Sequence, residues 1–345
     1  MMGEELINGK EFAVLGLGEV LLRLSPPNKE RILAGDVFEK RAGGSELNVV
    51  SGISLLGLRT GIITKLPRNE IGKYIKNKIR FSDVSDDYII YDPSPQARLG
   101  IYYYESGAAP RKPTVVYDRQ NSSLTTLKLE EVPAEVYQKA AAFHVSGITL
   151  ALSGSVREAA LEMVKQFKSN GCLISFDVNY RATLWSESEA RAEISKILPL
   201  IDFLFVSEET SRRMFQKKGS LQEIMRSYTE EYGCQLVATT QRKVLSPTKH
   251  TWNSSIYSRK EDRFYEEEPY HEIEVIDRIG SGDAYLAGVL FGLLKYDNVQ
   301  SALEFGNAMA AMKNTIPGDM PVSDFQEISK MIQDHKSHNN SEMNR

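Results

Sequence analysis

The sequence predicts an α/β sandwich with a mostly parallel central sheet and a small β-sheet lid. Strand-like apolar runs bounded by Gly, Asp or Asn alternate with amphipathic helical stretches, the pattern of parallel strands covered on both faces. Two segments, about 20–40 and 97–118, break that rhythm with strand patterning and no helix of their own, which predicts the lid.

In chain order, 12–16 reads as a first strand, 47–58 as a helix and 61–65 as a strand. Further strands follow at 142–146, 173–177, 203–206 and 236–239, with helical stretches between several of them. The lid segment 97–118 carries Ile101-Tyr-Tyr-Tyr104 and Thr114-Val-Val-Tyr117 around Gly107 and Pro110, so both lid segments read as antiparallel hairpins. Strands inserted into an α/β body are expected to lie over the carboxyl ends of the parallel strands, with the chemistry beneath. One domain over 1–335 is expected, and the polar, Asn-rich tail 336–345 reads as disordered.

The 345 residues, 41% of them hydrophobic, can bury a large core without staples. Cys172 and Cys234 lie in apolar stretches and read as small core residues in a reducing, cytoplasmic setting. No run approaches the ~20 apolar residues that span a bilayer, so no membrane association is expected. A net charge of −4 offers no general attraction to nucleic acid.

Three motifs carry chemistry. Gly280-Ser281-Gly282-Asp283 precedes apolar residues at helical spacing from Leu286 to Leu294, a glycine turn opening a buried helix. The first-turn amides of such a helix lack internal acceptors and can bind an anion, and Asp283 beside them can accept a hydroxyl proton. Alone, the tetrapeptide fits a simple helix cap equally well. Gly43-Gly44-Ser45-Glu46-Leu47-Asn48 opens a second helix, where Gly44 permits close approach and Asn48 offers donor and acceptor; a turn and cap explain it as readily. Phe176-Asp177-Val-Asn179-Tyr180-Arg181 ends a predicted strand and gathers a carboxylate, an amide and a guanidinium, which an exposed salt-bridge cluster also accommodates. Neither a P-loop nor a complete dinucleotide fingerprint is present.

These segments, in this order, resemble the PfkB carbohydrate kinases and, within them, the 2-keto-3-deoxygluconate kinases. The similarity covers the whole chain and includes Phe143-His-Val-Ser-Gly-Ile148 and Leu184-Trp185. The resemblance implies a ribokinase-like three-layer α/β/α sandwich and ATP-dependent phosphorylation of a sugar acid, with Mg²⁺ as the metal. It implies Asp283 as general base, with the amides of Gly280, Ser281 and Gly282 as the anion hole. Gly44 and Asn48 would hold sugar hydroxyls, Tyr102, Tyr117 and Arg119 would reach from the lid, and Arg181 would meet the substrate carboxylate. Asn307 would line the adenine pocket, Asp319 would stand near the substrate, and the lid would pair two copies into a homodimer.

The chain also departs from the family pattern. Ser281 stands for Ala, Arg278 for Thr and Leu99 for Thr, and the nucleotide-loop and metal motifs read Thr239-Thr240-Gln-Arg-Lys-Val-Leu-Ser246 and Ser207-Glu208-Glu209-Thr210. ATP contacts, metal ligands and any monovalent-cation loop are therefore left unassigned. Another sugar specificity of the fructokinase or ribokinase type, or a catalytically silent sugar-binding regulator, are the alternatives. Arg119 and Arg181 are expected to discriminate, because a neutral sugar would leave both without an anionic partner.

Overall fold

A strand covered on both faces needs apolar residues at successive positions, and β1 (Phe12–Leu17) is buried at all six of them. The computed structural model describes residues 7–246 and 248–337. After β1 come β2 (Leu21–Ser25), β3 (Glu39–Gly43), α1 (Ser45–Leu55), β4 (Thr60–Pro67), α2 (Glu70–Phe81), β5 (Val84–Ser85) and β6 (Ile89–Asp92). The middle of the chain contributes β7 (Gly100–Glu105), β8 (Thr114–Asp118), β9 (Ala140–Ser146), α3 (Gly147–Ala151), α4 (Gly154–Ser169), β10 (Leu173–Asp177), α5 (Glu187–Ile197), β11 (Phe203–Phe205), α6 (Glu208–Arg213) and α7 (Leu221–Tyr232). It closes with β12 (Leu236–Ser246), β13 (Lys249–Ser258), β14 (Arg263–Tyr265), β15 (Tyr270–Glu274), α8 (Ser281–Tyr296), α9 (Val299–Asn314) and α10 (Phe325–Ser337).

The central sheet runs β14-β13-β12-β11-β10-β9-β1-β4-β5, with β6 beside β4 and β15 beside β13. From β12 to β5 every pairing is parallel, whereas β13, β14 and β15 add antiparallel strands at one edge. That antiparallel edge was not legible in the sequence: β13 is rich in polar residues and carries no continuous apolar run. One apolar core joins the sheet to α1, α8 and α9, and a second, on the other face, joins it to α4, α5 and α7. The ribokinase-like α/β/α expectation holds.

The lid is a separate four-stranded sheet, ordered β3-β2-β7-β8. Both expected hairpins form, β2 with β3 and β7 with β8, and a parallel β2–β7 pairing welds them together. Its first segment extends to Gly43, because the β2–β3 ladder continues that far. Lys336 and Ser337, placed in the tail by the sequence reading, continue the amphipathic helix α10; the remainder of that tail, 338–345, lies outside the described residues. Both cysteines are free and buried. Among the described residues no helix is long and apolar enough to cross a membrane.

Candidate active site

Helix α8 starts at the glycine turn. Gly280 adopts a left-handed conformation (φ 81°), and a Cβ there would stand 2.0 Å from the Asp319 carbonyl oxygen, so only glycine fits. The amides of Gly282 and Asp283 have no acceptor among the described residues, and a Cβ built on Gly282 would face open space. The turn therefore presents two free donors and the positive end of a sixteen-residue helix to a cleft.

Asp283 sits on the first turn of α8, partly enclosed. Its two oxygens accept hydrogen bonds from Ser45 Oγ at 2.8 Å and Asn48 Nδ2 at 2.7 Å, both from the start of α1. Asn179 Nδ2 in turn donates to Ser45 Oγ at 3.0 Å, which ties the strand-end motif to the same cluster. Helix α1 can begin here because Gly44 (φ 150°) passes where a Cβ would meet the Glu19 carbonyl oxygen at 2.3 Å. Glu46, one residue beyond Ser45, is buried and accepts from the Ser146 amide, Ser146 Oγ and Thr149 Oγ1, anchoring α1 to the end of β9.

Burial raises the proton affinity of Asp283, an effect opposed by its hydrogen bonds from Asn48 and Ser45. Asp177, at the end of β10, is pushed up to about 7 by burial and by the neighbouring charge of Asp283. Two carboxylates thus share one cleft wall with raised affinities.

A second polar cluster backs the first. Arg23, buried in β2, pairs with Asp277 at 2.6 Å and Asp319 at 2.7 Å, and Tyr102 donates to the other oxygen of Asp319. Asp277 also accepts from the amides of Ile279 and Gly318, holding the approach to the glycine turn. Sequence reasoning missed Arg23, although a lone arginine inside Leu21-Leu-Arg-Leu-Ser25 signals a buried partner.

The cleft has two lobes that share Asp177, Asn179, Arg181 and Gly282. One, of about 510 Å³, lies under the lid and brings together Gly44, Asn48, Tyr102, Tyr117, Asp319 and the Gly280–Asp283 turn. The other, of about 430 Å³, opens on the far side of Gly282 between the end of β11, the middle of β12 and the start of α6; Thr239, Thr240, Ser207 and Glu209 line it. Parts of the altered nucleotide and metal motifs therefore face one lobe, while Arg242 of the nucleotide motif faces the other. Among the described residues no group of three or more His, Cys, Asp or Glu could hold a metal ion by itself.

Two expected residues are engaged otherwise than the resemblance implies. Arg119 borders the lid lobe, but its guanidinium is committed to Glu19, with Nε 2.8 Å from that carboxylate, so it is not an anion receptor waiting for substrate. Asn307 does not reach the cleft: its oxygen accepts from Trp252 Nε1 and Ser254 Oγ, and its amide donates to Glu267, all in the interior. Conversely, Arg242 and Arg278 line the lid lobe without a carboxylate partner among the described residues, and Arg181 donates only to the Tyr180 carbonyl. Burial and the charge of Arg278 lower the proton affinity of Arg242. Tyr117 is exposed and lies 5.7 Å from Tyr102, ring centre to ring centre.

A doubly covered parallel sheet, a β lid over its carboxyl ends and a two-lobed cleft joined at a helix N-terminus define a carbohydrate kinase. The chain belongs to the pfkB family of carbohydrate kinases, whose profile matches residues 13–324. It is 33% identical over 315 residues to the 2-dehydro-3-deoxygalactonokinase of Haloferax volcanii, covering 91% of this chain and 95% of that one. It is 28% identical over 287 residues to the 2-dehydro-3-deoxygluconokinase of Bacillus subtilis, covering 82% and 83% respectively. The crystal structure of 2-dehydro-3-deoxygluconokinase from Thermotoga maritima superposes with a TM-score of 0.88 at 32% identity, covering 93% of this chain and 98% of that one.

Proposed function

We propose that the protein phosphorylates 2-keto-3-deoxygluconate at its C6 hydroxyl, giving 2-keto-3-deoxy-6-phosphogluconate, with ATP as donor. The observation that carries this reading is electrostatic: among the described residues, Arg242 and Arg278 border the lid lobe with no carboxylate partner, and Arg181, in no close ion pair, turns its charge toward Asp177 and Asp283 in the same cleft. Three guanidinium groups at one lobe, two of them without a carboxylate partner, suit an acidic sugar and an anionic donor better than a neutral sugar. The relatives' names, a galactonokinase and two gluconokinases of 2-dehydro-3-deoxy acids, support the same class.

In this reading the lid lobe takes the sugar. Gly44 and Asn48 position its hydroxyls, Tyr102 and Tyr117 cover it, and Arg181 with Arg242 or Arg278 meets the carboxylate. Arg119 acts indirectly by fixing Glu19, and Asp319 by fixing Tyr102. Asp283 accepts the proton of the attacking hydroxyl; its raised affinity suits that task, and Ser45 and Asn48 aim it. The free amides of Gly282 and Asp283 stabilise negative charge developing at the transferred group.

The second lobe suits ATP, because the open space before Gly282 admits a phosphate and Thr239, Thr240 and Arg213 line the cavity beyond. ATP there would supply the phosphoryl group, and Mg²⁺ bound with it would neutralise phosphate charge; Glu209 is the carboxylate in the metal motif that lines this lobe. Pairing of two copies through the lid is consistent with β8, exposed at all five positions.

The galacto epimer is the second reading, favoured by the H. volcanii relative. ADP release measured with both epimers, fructose and ribose tests all of these. Turnover restricted to the 2-keto-3-deoxy acids is expected. Preference for a neutral sugar overturns the sugar-acid assignment, and no turnover with any acceptor overturns the kinase reading in favour of a silent binding protein.

A further inference from the structure

One buried charge is used by none of these steps. Lys313, in the last turn of α9, is 1% exposed, yet its ammonium meets no carboxylate within ion-pair distance among the described residues. Instead Nζ donates to two main-chain carbonyls, of Asp277 at 3.2 Å and of Ile316 at 3.1 Å. Burying a lysine without a salt bridge costs several kcal/mol, which a methionine of similar shape would avoid. Its place in the fold accounts for the retention of the charge.

The two carbonyls belong to the two loops that shape the anion hole. Asp277 opens the Asp277-Arg278-Ile279-Gly280 approach to α8, and Ile316 begins the turn leading to Gly318 and Asp319. The loops are already in register: the amides of Ile276 and Asp277 donate to Asn314 O, the Gly318 amide donates to Asp277 Oδ2, and the Gly280 backbone packs against Asp319 O. Carbonyl oxygens converging on one buried positive charge are the surroundings of a bound monovalent cation, with the ammonium as the cation and the lysine stem as its tether. Negative charge on Asp277, Asp319 and Asp283 all act to hold that proton, so the field of the ammonium reaches the general base.

We propose that Lys313 is a built-in monovalent cation: its ammonium, seated on the Asp277 and Ile316 carbonyls, fixes the Gly280–Gly282 turn, so phosphoryl transfer needs no free K⁺ or Na⁺. Lys313 touches neither substrate nor nucleotide in this account and is a positioning residue. Burial lowers its proton affinity to about 8, against the pull of Asp277 and Asp319, so it remains charged in neutral solution.

The inference rests on the kinase reading, and the test separates the two. Wild-type turnover is compared in potassium, sodium and tetramethylammonium chloride at one ionic strength, beside Lys313→Met and Lys313→Ala in the same salts, with melting temperature recorded for each. Wild type is expected to vary less than about twofold across the salts. Lys313→Met should lose about 10–100-fold in kcat with little change in the KM of the sugar, the signature of displaced transition-state donors. Lys313→Ala, which leaves space beside the same carbonyls, should recover about fivefold or more in KCl or NaCl and melt higher there than in tetramethylammonium chloride, as binding of the missing cation predicts. A wild type activated tenfold or more by K⁺, or a Lys313→Met variant with wild-type kcat in tetramethylammonium chloride, overturns the inference. The salt series on wild type decides even where a variant fails to fold, and absence of any wild-type turnover counts against the kinase reading instead.

Discussion

The cleft holds two carboxylate clusters that differ in one respect, their counter-charge. Asp283 is held by neutral donors, Ser45 Oγ and Asn48 Nδ2, and faces open space. Asp319, just behind, is closed off between the Arg23 guanidinium and the Tyr102 hydroxyl. Burial raises the proton affinity of both carboxylates, but the first keeps lone pairs open to the cleft, whereas the second has committed its oxygens to Arg23 and Tyr102 in holding the lid to the body. The comparison teaches that one cleft can use the same functional group both as an open, reactive carboxylate and as a brace, set apart by whether a close ion pair closes off its oxygens.

The sharpest way to break this contrast is Asp283→Asn. It should lower kcat by about 10²–10⁴-fold while leaving the dissociation constant of the sugar acid, measured calorimetrically, within about threefold. A variant near the wild-type rate would make Asp283 a helix cap and nothing more. On the scaffold side, Arg23→Met strands Asp277 and Asp319 as uncompensated buried charges and should cost about 3–5 kcal/mol in denaturant unfolding. A loss below 1 kcal/mol would mean the network is decorative.

Asp177 sharpens the comparison through pH. Its affinity is raised in the folded state, so folding favours its protonated form; that contribution is complete below the ordinary aspartate range and is lost as pH rises through about 7. Asp177→Asn should therefore stabilise the protein at pH 8 by about 1–2 kcal/mol, a few degrees in Tm, and change little at pH 4. Because Asp177 also repels the charge on Asp283, the acid limb of kcat/KM, which falls as the base takes up its proton, should move to lower pH in this variant. The smallest effect is expected at the start of α6. Glu208 pairs with Arg212 one helical turn away in solvent, and Glu208→Gln should change stability by less than about 0.5 kcal/mol.

Much of the site was legible because its signals are local. Gly280-Ser281-Gly282-Asp283 and Gly43-Gly44-Ser45 need particular backbone conformations, and φ 81° at Gly280 and φ 150° at Gly44 are what a glycine turn at a helix start announces. The strand-end carboxylate, Asp177, stood in a run whose apolar residues already marked β10. Arg119 misled because a charge does not declare its partner: Glu19 lies a hundred positions away and meets it only when β2 and β7 pair in parallel and carry the following loop across the lid. Asn307 misled for the same reason, since Trp252, Ser254 and Glu267 reach it through the antiparallel edge that polar strands concealed.

The sequence by itself determined the alternation of strands and helices, the two glycine turns, the lid segments and the carboxylate beside the Gly280–Gly282 turn, because periodicity and backbone restrictions act between near neighbours. Only the tertiary structure decided which charges are neutralised and which remain free. It bound Arg119 to Glu19 and Arg23 to Asp277 and Asp319, left Arg181, Arg242 and Arg278 facing the cleft, and seated Lys313 on two carbonyls. The physical reason is that Coulomb energy depends on separation and burial, which chain distance does not encode.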